Sequence, residues 1–131
     1  MEIKTHELEG AALDWAVANA MGMDCQVVGN SFDTSWLEDR LDGSRSRIFG
    51  RYRPSTDWSQ GGPLIDAHSI SFATIGTGRR DENGKEPVVS IISGVDGGIG
   101  QASTHLVAAC RAIVFAKLGD CVEIPDELGA A

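Results

Sequence analysis

An α+β fold, with a mainly antiparallel sheet and two principal helices packed on it, is predicted by three features of this 131-residue chain. Apolar residues recur at helical spacing near each end. The β-branched and alternating segments between them are short. Turn residues, rather than helices, join those segments, so the repeated strand–helix alternation of a doubly wound parallel sheet is missing.

Taken in order, "EIKT" at 2–5 starts a short strand. Thr5 offers an N-cap to a helix from His6 to Met21, with Glu7 and Glu9 near its positive end. Leu8, Ala12, Trp15 and Ala16 share one face, and Leu13, Val17 and Met21 a neighbouring one. That helix is expected to be buried on more than one side, with Trp15 in the core, and to stop at Gly22. "CQVVG" (25–29) suits a short buried strand. Residues 30–44 are polar at both ends and alternate poorly, which predicts a loop with one helical turn around Ser35 to Leu41.

Alternation at Ile70, Phe72 and Thr74 marks a strand within 64–75, and "PVVSIIS" (87–93) marks another. Asn83-Gly84 between them is a strong turn signal and predicts a long β-hairpin. "GVDGGIGQAS" (94–103) reads as a glycine-rich loop. Leu106, Cys110, Ile113, Val114 and Leu118 then follow helical spacing, with Ser103 or Thr104 as cap and Gly119 as stop. "CVEIP" (121–125) is a last strand and "DELGAA" a fraying tail. With no internal repeat and no dividing linker, one domain is expected over 1–131.

No stretch approaches the roughly 20 apolar residues of a membrane span, and the N-terminus lacks an apolar signal core. A cytoplasmic location is therefore expected. A formal net charge of −8 argues against a general nucleic-acid binder. Cys25, Cys110 and Cys121 form neither a Cys-x-x-Cys pair nor a zinc spacing, and read as reduced thiols. His6, His68 and His105 stand far apart. The sequence indicates no metal and no cofactor.

Against that acidic background, "SRSRIFGRYR" (44–53) is a local exception. Arg45, Arg47, Arg51 and Arg53 occupy odd positions, so an extended strand would turn all four guanidiniums to one side. Residues 45–53 carry +4 and the remainder of the chain −12. Four like charges in a row repel unless carboxylates or an anionic ligand compensate, and both remain open. Either the segment is an edge strand guarded by its charges, or arginine forks are presented to phosphate or carboxylate.

The stripe runs into "RPSTDWSQGGPLI" (53–65), a turn-rich stretch that holds a tryptophan. Ser55, Thr56 and Asp57 suit turns, and Gly61 and Gly62 allow positive φ with amides free for a ligand. Trp58 supplies a face on which a base stacks for roughly 1–3 kcal/mol. The candidate ligand-binding set is Arg51, Arg53, Ser55, Thr56, Asp57, Trp58, Gln60, Gly61 and Gly62, which together suit a nucleotide-like anion. The competing reading makes Trp58 a core plug and Gly-Gly-Pro the turn before the next strand.

Gly98-x-Gly100-x-x-Ser103, with Glu123 about twenty residues on, approaches a dinucleotide fingerprint but lacks the third glycine. Catalysis finds little support: no Ser/His/Asp set shows a motif, no catalytic residue is assigned, and the cysteines lie in apolar surroundings.

Three blocks together, "KTHELEGAALDWAVANAMG", "YRPSTDWSQGGPLI" and "LVAACRAIVFAKLGDCVEIPDEL", resemble the NinX-like family of small phage proteins. They cover about half the chain and leave out 30–50 and 76–102, so the arginine stripe and glycine loop look private to this protein. The resemblance implies a phage or prophage accessory protein acting in the bacterial host cytoplasm, and brings no catalytic residues to transfer. Its shared centre falls on the Ser55 to Pro63 stretch. The expected function is non-enzymatic binding of a small anionic, nucleotide-like ligand, as in sequestering a host immune signal for counter-defence. The alternatives are an inhibitor or adaptor that grips an acidic host protein through Trp36, Trp58 and the arginines, or a nucleotide-processing enzyme. By analogy with other small phage proteins that build sites between subunits, a homo-oligomer is envisaged.

Overall fold

The computed structural model of the chain describes residues 1–129 except 24, 30, 40, 77–88, 96 and 97. The fold is α+β, and among the described residues the strands are divided among three small antiparallel sheets rather than gathered into one. β1 (Glu2–Lys4) pairs with β8 (Cys121–Glu123), Ile3 opposite Val122, so the two ends of the described chain meet. The Met1 ammonium donates to the Ile124 carbonyl at 2.9 Å.

The first helix begins later than expected. Thr5 does not cap it, because its hydroxyl donates to the Gly119 carbonyl at 2.6 Å and its amide to that of Asp120 at 2.8 Å. Residues Thr5–Glu7 form a 3-10 turn, Leu8 is buried in extended backbone, and α1 spans Gly10–Ala20. Leu13, Ala16, Val17 and Ala18 of α1 are fully enclosed, as the all-round apolar pattern predicts. Trp15 is only half-buried at the edge of that core.

β2 (Cys25–Val28) pairs with β3 (Ser31–Asp39), which pairs with β4 (Arg45–Gly50). The predicted loop at 30–44 is thus mostly strand. Phe32 and Thr34 are buried with exposed Asp33 between them, a short alternation that the polar flanks obscure. The turn joining β3 to β4 is closed by Asp42, which accepts from the Ser44 amide (2.9 Å) and hydroxyl (2.6 Å).

The glycine-proline stretch is a helix, α2 (Trp58–Ala67), and not a turn. Asp57 is its N-cap, accepting from the Ser59 amide at 2.9 Å and hydroxyl at 2.6 Å. Pro63 lies within α2 and removes one rung of its hydrogen-bond ladder. Two glycines and a proline hid this helix from any propensity argument.

β5 (Ser71–Gly76) and β6 (Val89–Val95) are antiparallel, as the hairpin reading requires; Asn83-Gly84 lies outside the described residues. β7 (Gly98–Ala102) adds to β6, so the expected glycine-rich loop is a strand. α3 (His105–Leu118) lies across it. A Cβ at Gly98 would run into the backbone of Ala112, and one at Gly100 into that of Ala108 and Ala112. These glycines allow strand and helix to approach closely; they cradle no dinucleotide.

Thr104 caps α3, its hydroxyl oxygen accepting from the Val107 amide at 3.2 Å, and Gly119 ends it at φ 90. Cys110, Ile113 and Val114 join the core that holds Leu13 and Val17 of α1, while the buried Leu106 lies against Gly61 of α2. The tail does not simply fray: residues Asp126–Gly129 form a short helix, α4, that buries Leu128.

Two neighbouring glycines of α2 give a matched test. A Cβ at Gly61 would strike the Pro54 carbonyl and approach Leu106 Cδ2 to 2.6 Å, whereas one at Gly62 meets nothing nearer than Trp58 Cε3 at 4.0 Å. Gly61→Ala is expected to cost about 1–3 kcal/mol by overpacking. Gly62→Ala is expected to stabilise the fold by about 0.5–1 kcal/mol through helix propensity. Urea melts of both variants against the parent check the opposite signs.

Candidate functional site

The segment between β4 and α2 is pinned from two sides. Tyr52 points inward, while Arg51 and Arg53 on either side of it are exposed. The arginine stripe therefore breaks at Gly50, where β4 ends, although Arg51 and Arg53 still share the outward side. Arg45 and Arg47 stay in β4, opposite Asp39 and Leu37.

Gln60 reaches back from α2 to this segment. Its Nε2 donates to the Arg51 carbonyl at 3.1 Å and its Oε1 accepts from the Arg53 amide. The Arg53 carbonyl in turn accepts from the amides of Thr56 (3.1 Å) and Asp57 (2.8 Å), closing a turn before the helix. Gln60, Asp57, Gly61 and Gly62 thus serve the local scaffold: clamp, cap, and two helix positions. The Gly61 amide donates to the Asp57 carbonyl at 2.8 Å, so it is occupied inside α2.

The second pin comes from α1. Asp14, only 3% exposed, accepts from the Ser55 amide at 2.9 Å through Oδ1. Burial pushes its carboxyl up to about 6, partly offset by donors on Ser55 and by the charge of Arg53. The Ser55 hydroxyl is near enough to draw the carboxyl down, yet its geometry makes no hydrogen bond, and Oγ is sealed from water without a partner. Burying a hydroxyl in that state costs roughly 1–3 kcal/mol.

Two cavities flank the pinned segment. The larger, about 520 Å³, has Ser55, Thr56 and Trp58 on one side and residues 103–107 on the other. Its volume falls within the roughly 300–1,000 Å³ typical of small-molecule sites. Trp58 is 59% exposed, so its indole is a wall of this cavity and not a core plug. The N-termini of α2 and α3 both border it, bringing their positive dipole ends and first-turn amides. His105, the first residue of α3, stands edge-on to Phe72, ring centroids 5.0 Å apart.

The smaller cavity, about 230 Å³, is lined by Arg51, Tyr52 and Arg53, with Asp14, Phe32 and the start of α1. Thr56 lines both. The structure therefore brings Ser55, Thr56 and Trp58 together at one cavity and places Arg51 and Arg53 at its neighbour. Sequence reasoning missed Asp14, Ser103, Thr104 and His105 as lining residues. Asp14 did leave a signal, as the one charged residue in the apolar run 11–18.

A family model described as Bacteriophage P22, NinX matches residues 4–117. The chain belongs to the NinX family. The match runs from β1 through α3, and its span takes in 30–50 and 76–102 as well as the three resembling blocks. It stops before β8 and α4. No curated protein matches the chain at a significant level. This NinX-family member is a phage accessory protein, and no helix among its described residues is long and apolar enough to cross a membrane.

Asp14 makes stability depend on pH in a definite direction. Its carboxyl titrates at 3.8 when unfolded and about 6 when folded, so the folded state binds more protons between those values. Stability from this group therefore falls as pH rises from about 4 to about 6. Asp14→Asn keeps an acceptor for the Ser55 amide and cannot ionise. Urea melts should show the variant gaining on the parent between pH 4 and pH 7, by up to about 3 kcal/mol. Parallel profiles would count against a buried, ionising Asp14.

Proposed function

We propose that this phage accessory protein binds a small, nucleotide-like anion in the larger cavity without turning it over. The observation that carries the reading is the exposed Trp58 indole facing the N-terminal end of α3 across a ligand-sized space. A base stacks on the indole, a contact worth roughly 1–3 kcal/mol. The phosphate meets the first-turn amides of α3, the hydroxyls of Ser103 and Thr104, and His105.

Binding rather than chemistry is favoured by how the titratable groups are disposed. Asp14 lies at the neighbouring cavity, tied to a backbone amide, and the His105 ring packs against Phe72. In a phage accessory protein, retention without turnover amounts to sequestration. A host nucleotide signal in an immune response is the ligand class this would serve, which is counter-defence.

Thermal melts in the presence of nucleotides test the reading. A ligand at a hundred times its Kd stabilises by about 2.7 kcal/mol, which raises Tm by about 10 °C for a chain this size. Trp58→Ala should weaken binding about 5- to 150-fold and cut that rise by roughly a third at the weak end and nearly all of it at the strong end. No shift with any nucleotide, or an undiminished shift in Trp58→Ala, would count against it.

A further inference from the structure

We propose that the smaller cavity is a second anion subsite, and that the ligand is a nucleotide carrying two separate phosphate groups. This rests on the reading of the larger cavity and extends it. At about 230 Å³ the space is below the range of a complete small-molecule site, but it shares the exposed Thr56 with the larger cavity as a lining residue. A molecule seated on Trp58 can thus extend over Thr56 into it.

The lining is built for an anion. Arg51 and Arg53 both border it, and neither guanidinium makes an ion pair among the described residues. An arginine fork matches phosphate geometry in two parallel hydrogen bonds. Gly10 and Ala11, which open α1, form another wall, and Glu9 before them makes no side-chain capping bond. The amides of that first turn and the positive helix end therefore remain available to the same anion. Asp14 subtracts one charge from the floor, with one oxygen already held by Ser55, and the lining stays net positive. Arg51 and Arg53 are held through their backbones by Gln60, which leaves the side chains free to engage a ligand.

Calorimetric titration with adenosine 5′-monophosphate, adenosine 3′,5′-bisphosphate and inorganic pyrophosphate tests this in the parent and in the double variant Arg51→Ala/Arg53→Ala. The bisphosphate should bind the parent roughly tenfold or more tightly than the monophosphate. In the double variant that advantage should vanish while monophosphate affinity stays within about twofold, since these side chains contribute exposed charge and no core packing. Equal affinities in the parent, or equal weakening of both nucleotides in the variant, would overturn the subsite. If neither nucleotide binds, the Trp58 reading fails by itself. Pyrophosphate then decides the subsite alone: binding that the double variant loses supports it, and no binding overturns it.

Discussion

The Asp14 carboxylate accepting the Ser55 amide is the interaction on which the site depends. A carboxylate inside an alanine-rich helix is costly, and its raised pKa measures that cost. The return is positional. A helix fixed in the core by Leu13, Ala16 and Val17 reaches out to one amide of the turn before α2 and sets where that turn lies. Gln60 completes the hold from the other direction, so the backbone between Arg51 and Asp57 is tied to both α1 and α2.

From that hold the rest follows in physical order. Asp57 is placed to cap α2, Trp58 becomes the first residue of the helix, and its ring is left exposed at the rim of a cavity. Gly61 lets α2 settle against Pro54 and Leu106, which fixes the distance between the tryptophan side and the α3 side. On the sheet side, Gly98 and Gly100 bring β7 hard against α3 and so fix where α3 begins. Both walls are therefore set by close backbone approach, and both approaches need the absence of a side chain. Arg111 joins the two ends of this frame, donating to the Leu8 carbonyl at 2.9 Å and the Gln101 carbonyl at 2.8 Å.

The apolar spacing of α1 and α3, the Thr104 cap, the Gly119 stop and the terminal strands could be read directly from the chain, because periodicity and caps are local signals. Three features could not. β3 hides behind polar residues, and the alternation of buried Phe32 and Thr34 around exposed Asp33 is too short to read from the sequence. α2 carries Gly-Gly-Pro, which local propensity assigns to a turn; its cap and its packing against Leu106 are tertiary facts. The glycines of β7 imitate a loop because their purpose is to admit a helix. At the candidate site, the composition of 51–62 marked a segment that borders two cavities but could not divide its labour. Exposure separates Trp58 and the arginines from Gln60, Asp57 and Gly61, and only the fold brings residues 103–107 and Asp14 beside them.

Hydrogen exchange at the Ser55 amide tests the central claim most directly. If the buried Asp14 carboxylate holds this turn, that single amide exchanges as slowly as the core amides of α1 and α3, and Asp14→Ala releases it while the helices stay protected. A Ser55 amide that exchanges in the parent protein as fast as an exposed loop would contradict the account, because α1 would then have no hold on the turn that precedes Trp58.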